Sequence, residues 1–483
     1  MKKTFNFNKM LLFALVGLTI SCTKNYGISY PDGTTDNNHP KDTFNLDLDT
    51  SSKKVDKSQF NAARAFPGLV GIAEPRYDNY KVKINLDYVQ VESNDIRVSV
   101  APGGFLSTGL YAPAGELVQV NVPEGAYGLE LQIGAQDDNL TGHDPLQRAP
   151  IIYTRQQLYP GKNYARNLYG GNVWVIPSRP LGYTVELNFS GVCKSPDFIL
   201  GETTDAEWKA MIAKTTVPYF ELRSKRMIFT LPTSKLSRYP IDSPTALMTA
   251  WDQEILHSYW EWYGLSETTT DIRNRNPTLP WRIVHDIQPS VGAQHSGYPV
   301  VATANDNYFN QAVSLDLVVG SNWGTYHEIG HNMQMKSTWS WTDLGEVSNN
   351  LFSFKITNRH GYKHANYKRV MPAAIAFTAT AGAKQFSSAS VDARLGLFIQ
   401  IFERYGFDFM TYLCTQARMA RFGANNDQDR KDFFYERLSE YTQKNMKPFM
   451  DAWGVDLSDV SKNKIAAKYP MLTEQVWLLD PSK

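Results

Sequence analysis

The sequence predicts an α+β protein in which an N-terminal β-sandwich precedes a mostly helical domain. Three observations lead there. Alternating apolar runs, short and separated by Gly/Pro-rich turns, fill residues 77–200. Capped segments with helical periodicity take over from about residue 204. A chain of 483 residues also exceeds what one typical core can use.

The N-terminal residues read as a targeting segment. "MKKTFNFNK" supplies positive charge and "MLLFALVGLTI" an apolar stretch too short to span a bilayer stably. It ends in "LTISC", which resembles a bacterial lipobox with Thr19 where leucine is usual. Residues 1–21 are therefore expected to be a lipoprotein signal peptide and Cys22 the lipidated residue, with a plain signal peptide as the alternative. Residues 22–59 are polar and rich in Gly, Pro, Asn and Asp, too poor in apolar surface to offset ordering entropy, and read as a flexible tether. The expectation is an exported bacterial lipoprotein at the outer membrane or cell surface, lipid-anchored and monomeric. No later run approaches the roughly 18 apolar residues of a membrane helix. Cys193 and Cys414 lie far apart in sequence and read as buried thiols rather than a disulfide.

Residues 60–200 form the expected sandwich domain. Its strands are read from "YKVKINLDYVQV", "DIRVSVAP", "LVQVNVP", "GLELQIGA", "GNVWVIP" and "YTVELNFSG", with "PGG", "PAGE", "PEGAYG", "PGKN" and "YGGN" between them. Residues 201–483 form the expected second domain. Thr204 and Glu207 make a capping box. Ser243 is an N-cap with Pro244 at the first helical position, Leu247, Trp251 and Ile255 repeat at helical spacing, and Gly264 stops the run. "PWRIVHDI" and "GYPVVA" read as strands, and most of the chain beyond Ala373 as helix.

Between those strands and helices lies "NWGTYHEIGHNMQ". On a helix, His327 and His331 fall one turn apart on one face, where both can hold one metal ion. Glu328 sits beside them as general base toward a zinc-activated water, the logic of HExxH in zinc peptidases. In "WTDLGEVSNNLFS", Glu346 supplies a third ligand from a second helix that Gly345 lets the chain enter, completing a His₂Glu set of the gluzincin type around one Zn²⁺. Asn350, with Asn349 as rival, is placed to accept the other N–H of a ligating imidazole. Gly330 costs a helix interior about 1 kcal/mol, so another backbone is expected to pack against it. Tyr326, Tyr298, His285 and His295 are candidates for donating to a reaction oxyanion, with ordinary polar or core roles as the alternative.

"WGTYHEIGHNMQ" followed by "GEVSNNLFS" resembles the enhancin-type, mucin-active zinc metallopeptidases, peptidase family M-sixty. "STGLYAPAGE", "LQIGAQDDNL", "RAPIIY", Gly170–Gly171, "FILGETTDAEW", "FIQIFERYGFDFMTYL" and "AWGVDLSDV" extend the similarity from about residue 100 to about 460. One departure is Met333, where the family's motif ends in HNHQ. The resemblance implies a sandwich followed by a gluzincin-type catalytic domain that cleaves glycoproteins, often mucins, reading an O-glycan beside the scissile bond. Trp323, Trp339 and Trp341 flank the motif and offer ring faces to a sugar, with core packing as the alternative. The competing function is a glycan-binding surface lipoprotein whose metal site is structural or idle. A formal net charge of +1 gives no basic field for nucleic acid.

Overall fold

The computed structural model describes residues 66–420 and 423–483. The expected signal peptide and tether, with Cys22, lie outside the described residues. The first layers are two antiparallel sheets packed face to face. One orders its strands β1 (Tyr80–Asn85), β8 (Thr184–Ser190), β3 (Leu117–Val122) and β6 (Gly161–Arg166). The other orders β5 (Thr154–Leu158), β4 (Leu129–Ile133), β7 (Gly171–Pro177), β2 (Leu106–Ala112) and β9 (Cys193–Lys194). Alternation explains the packing: Val118, Val120 and Val122 of β3 point inward with Val185, Leu187 and Phe189 of β8, while Gln119 and Asn121 stay nearer solvent.

"DIRVSVAP" departs from its expected strand. The Asp95 carboxylate accepts the Glu92 N–H at 2.9 Å, closing a helical turn over Ser93–Ile96, and Arg97 leaves it with φ of 59°. Ile96 and Val98 then bury in the helical part of the molecule instead of the sandwich. Val100 N–H donates to the Asn332 carbonyl at 3.0 Å, strapping this segment over the end of the HExxH helix.

A six-stranded mixed sheet follows, ordered β10 (Phe198–Ile199), β11 (Tyr219–Arg223), β12 (Met227–Pro232), β13 (Trp281–Asp286), β15 (Val300–Thr303) and β14 (Gln294–His295). The hairpin β11–β12 carries no alternating signal because β12 is buried along its whole length. Helices surround this sheet. α1 (Asp205–Ile212) starts at the Thr204–Glu207 capping box, and α2 (Pro244–Glu254) at the Ser243 cap. The chain continues α2 through a wider turn, Ile255–Trp260, and stops at Gly264, φ 72°. Downstream come α3 (Asp306–Val313), α4 (Gly324–Met333), α5 (Leu351–Arg359), α6 (Tyr367–Thr378), α7 (Val391–Tyr405), α8 (Asp408–Met419) and α9 (Asp427–Thr442). No disulfide links Cys193 to Cys414, which are both buried.

The β4–β5 loop ties the sandwich to the second sheet. Arg148 and Asp286 of β13 form an ion pair with both side chains fully buried, Nη2 to Oδ2 2.7 Å. Burial pushes the Asp286 carboxyl above its usual range, and the guanidinium opposes that shift. Gln136 Nε2 donates to the His285 carbonyl at 3.1 Å, and Gln147 N–H to Gln288 Oε1 at 2.7 Å.

Helix α4 has two unlike faces. Tyr326, Ile329 and Met333, spaced for one stripe, are fully buried, with Tyr326 5.1 Å from the Trp251 ring. His327, Glu328 and His331 lie on the other side. At Gly330 the backbone of the 346–350 turn presses on the helix: a Cβ there would come 1.9 Å from the Asn349 carbonyl oxygen. The expected close backbone approach is therefore present. Gly330→Ala should destabilise the fold by about 1–3 kcal/mol or more, because the turn must move as a unit. Thermal denaturation measures this, and an unchanged midpoint would show that the turn gives way freely.

Candidate metal centre

Helix α4 begins without a side-chain cap. The Gly324 N–H donates instead to Gln311 Oε1 at 2.9 Å, and the His327 N–H to the Trp323 carbonyl at 2.7 Å. The neighbouring helix α3 thus satisfies the first N–H, and the helix's own i→i−4 bonding begins at His327. After Met333 the chain turns extended at Gln334, ψ 131°, and returns through two short 3₁₀ turns, Thr342–Leu344 and Ser348–Asn350. Glu346 lies in the turn between them, not on a second regular helix as its surroundings suggested. Gly345 is right-handed there (φ −53°), so it is not the conformational hinge expected of it. Its carbonyl matters more, accepting from Gln334 Nε2 at 2.7 Å.

Three donor atoms converge. His327 Nε2 and His331 Nε2 stand 3.2 Å apart, and each lies 3.4 Å from Glu346 Oε2. Tetrahedral ligands at zinc-like bond lengths of about 2.0–2.1 Å sit about 3.3 Å from one another. The observed triangle has those edges, and the residues fit one ion of that size. Glu346 is the open member, its side chain 58% exposed, so the approach to the site runs past it.

The imidazole tautomers follow from their partners. His327 Nδ1 lies 2.7 Å from Asn350 Oδ1, and His331 Nδ1 lies 3.1 Å from Gln334 Oε1. Both partners are amide oxygens, so each Nδ1 carries the proton and each Nε2 presents a lone pair to the other ring. Two lone pairs held face to face call for a cation between them. Asn349 Nδ2 lies 2.9 Å from His331 Nε2, which fits that nitrogen as an acceptor. Burial also holds the His327 imidazole below its ordinary pKa, favouring the neutral form that ligates.

Among the two asparagines, Asn350 lies at the His327 Nδ1 and Asn349 at the His331 Nε2. Gln334 was missed, although it closes the quoted stretch. It receives His331 Nδ1 while its Nε2 donates to the Gly345 carbonyl and, at 2.9 Å, to Ser348 Oγ. A polar residue just past a helix end gives no periodic signal, so only the ligand beside it pointed there.

Glu328 is buried, 8% exposed, with Oε1 3.9 Å from His327 Nε2. Burial pushes its carboxyl up to about 7, with the Glu346 charge adding and the His295 ring opposing. A carboxylate of that basicity suits proton transfer near neutral pH.

Other candidates separate from the centre. Tyr326 donates its hydroxyl to the Val318 carbonyl and is fully buried. The Tyr298 hydroxyl is spent on the carbonyls of Gly103, 2.8 Å, and Pro280, 3.1 Å. His285 is enclosed in β13, where burial lowers it to about 3. None is free to meet an oxyanion. Trp339 and Trp341 are corrected from sugar platform to core: they are 0% and 1% exposed, packed on Phe434. Trp323 is half-buried against Phe354 and His364 and keeps some open surface.

Comparison with known proteins accords with this geometry. The family described as "Peptidase M60, enhancin and enhancin-like" matches residues 191–454, and the "N-terminal domain of M60-like peptidases" matches residues 74–180. Among solved structures, a functionally unknown conserved protein from Bacillus anthracis superposes with a TM-score of 0.72 at 22% identity, covering 83% of this chain and 82% of that one. The ZmpB metallopeptidase from Clostridium perfringens gives 0.67 at 20%, covering 83% of each chain. The M60 catalytic domain of ZmpC from the same organism, in complex with the sialyl T antigen, gives 0.66 at 16%, covering 83% and 82%. Among curated proteins, the TRPM8 channel-associated factor homolog of Danio rerio is 27% identical over 78% of this chain and 41% of its own length. TRPM8 channel-associated factor 1 of Homo sapiens is 28% identical over 72% and 38%. The chain thus spans about two fifths of the length of these curated relatives. They are vertebrate proteins, which overturns the expected placement as a bacterial outer-membrane lipoprotein. The α+β architecture and the family that the motif resembles both stand, and the chain belongs to the peptidase M60 family of enhancin and enhancin-like proteins.

Proposed function

We propose that the protein is a zinc metalloendopeptidase acting on glycoproteins, with mucin-type O-glycosylated proteins as its substrates. The observation that carries this is the triangle of His327, His331 and Glu346 donor atoms, 3.2–3.4 Å on a side, with both imidazole Nδ1 atoms tied to amide oxygens and Glu328 alongside. In this reading residues 201–483 carry the chemistry and residues 60–200 the sandwich that supports it.

His327, His331 and Glu346 would hold the zinc ion, which when bound would supply Lewis acidity toward water and a scissile carbonyl. The chain's own residues do the rest. Asn350 and Gln334 keep the Nε2 lone pairs of His327 and His331 directed inward. Glu328 takes the proton of the attacking water and returns it to the leaving amine. Trp323, half-buried at the entrance to α4, keeps ring surface that a glycan can stack on. The glycan part of the proposal draws support from ZmpC, whose catalytic domain was solved with the sialyl T antigen.

A second reading is favoured by the names of the vertebrate relatives, which describe channel-associated factors: a binding protein with an idle metal centre. Binding alone needs no general base, and the intact Glu328 beside three ligands weighs against it.

Four outcomes test the proposal. Glu328→Ala should bind one zinc and lose about 100-fold or more in turnover, whereas His331→Ala should lose the metal. Full activity in a zinc-bound Glu328→Ala protein would refute the mechanism. Gln334→Ala should weaken zinc affinity about 10–100-fold in a competition titration. On matched peptides with and without an O-glycan, the zinc-loaded protein should cleave the glycosylated one and stop with chelator. Equal cleavage of both would remove the glycan requirement, and cleavage of neither would favour the binding protein.

A further inference from the structure

Behind the metal centre, the wide turn that continues α2 brings one side chain against both halves of the site. In a regular helix each N–H reaches back four residues. Here the Glu261 N–H reaches back five, to the Leu256 carbonyl, so the turn carries one residue more than the helix it extends. Its sequence, "ILHSYW", holds no Gly or Pro that would force the widening. Such insertions weaken the helical hydrogen bonds and recur at functional sites.

The turn is fixed from outside by a buried carboxylate. Ser258 Oγ donates to Glu254 Oε2 at 2.8 Å, while Glu254 Oε1 receives Arg359 Nη1 and lies 2.8 Å from His360 Nε2. Arg359 is the last residue of α5, the helix that follows the ligand turn. The wide turn is thus tied to the far end of α5.

Tyr259, in the middle of this turn, is fully buried and makes two contacts. Its hydroxyl donates to the Tyr326 carbonyl at 2.9 Å. That carbonyl belongs to the peptide that joins Tyr326 to His327, and the i→i−4 pattern of α4 already satisfies it. The Tyr259 bond is therefore additional to the helix ladder. The Tyr259 ring lies flat on Phe352, with centroids 4.1 Å apart and planes at 4°. Phe352 comes two residues after Asn350, whose Oδ1 lies 2.7 Å from His327 Nδ1. One side chain thus touches the peptide that carries the first imidazole and the segment that orients its ring.

We infer that Tyr259 is a positioning residue for the metal centre. The wide turn sets its hydroxyl on the Tyr326–His327 peptide and its ring on Phe352, and so fixes His327 relative to Asn350. The inference rests on the reading of His327, His331 and Glu346 as metal ligands.

The test uses the full chain and reads zinc affinity by competition with a chromophoric chelator. Tyr259→Phe keeps the stacked ring and removes the hydroxyl. It should weaken zinc binding about 3–10-fold, less than a partner bonded directly to a ligand would. The d–d bands of the cobalt-substituted protein should shift, and the thermal midpoint of the metal-free protein should fall by no more than about 2 °C. Tyr326→Phe supplies the comparison. It deletes a hydroxyl that is equally buried, bonded to the Val318 carbonyl at 2.6 Å, and that holds no part of the His327 peptide. Its zinc affinity should stay within about twofold of the unaltered protein. An unchanged affinity and cobalt spectrum in Tyr259→Phe would overturn the inference, as would equal losses in both variants or a loss that accompanies a larger fall in midpoint. If the unaltered protein binds no zinc, the metal centre and this inference fall together. If it binds zinc but cleaves no glycopeptide, the proposed function falls, and the zinc affinity of Tyr259→Phe still decides the role of Tyr259.

Discussion

Helix α4 and the turn after it touch where no side chain fits, and the metal centre depends on that contact. Gly330 faces the Asn349 carbonyl so closely that a Cβ would overlap it. The approach sets the distance from the helix to Glu346 and to Asn350, which flank Asn349 in the same turn. Gln334 then bridges the two segments from the helix end, joined to His331 and to the Gly345 carbonyl. The two imidazoles are thus held by amide hydrogen bonds, while Glu346, 58% exposed, is placed by its backbone. The two imidazoles therefore have little conformational entropy left to lose when an ion arrives.

The centre also shows how a polar site survives inside an aromatic core. One face of α4 is sealed by Tyr326, Ile329 and Met333 in a cluster with Trp251 and Tyr259. The other face is semi-enclosed, which raises the Glu328 carboxyl, while Glu346 stays largely in solvent. The two carboxylates therefore differ in character because their surroundings differ: the exposed one suits a ligand, and the shielded one suits proton transfer.

Much of this was legible in the sequence, for identifiable reasons. His327, Glu328 and His331 carry a spacing whose geometry follows from the helix, and Gly330 signalled a close contact by its cost. The caps at Thr204 and Ser243 announce themselves chemically. What escaped detection lacked a local signal. The β11–β12 hairpin is buried on both faces and shows no alternation. "DIRVSVAP" alternates, yet Asp95 caps a turn there and sends its apolar residues to another core. Trp339 and Trp341 could not be told from surface aromatics, because burial is decided by helices α7 and α9 far along the chain. His295 meets its partner Asp138 more than a hundred residues away, so it read as an ordinary polar residue.

The Arg148–Asp286 ion pair has a bearing on how this architecture can be rearranged. Its two charges come from different layers, and water reaches neither. Replacing Arg148 by a neutral side chain would leave the Asp286 carboxylate buried without its partner, at a cost of about 3–5 kcal/mol. The sandwich is therefore not an interchangeable module. Recombination that swaps it must carry a guanidinium matched to Asp286.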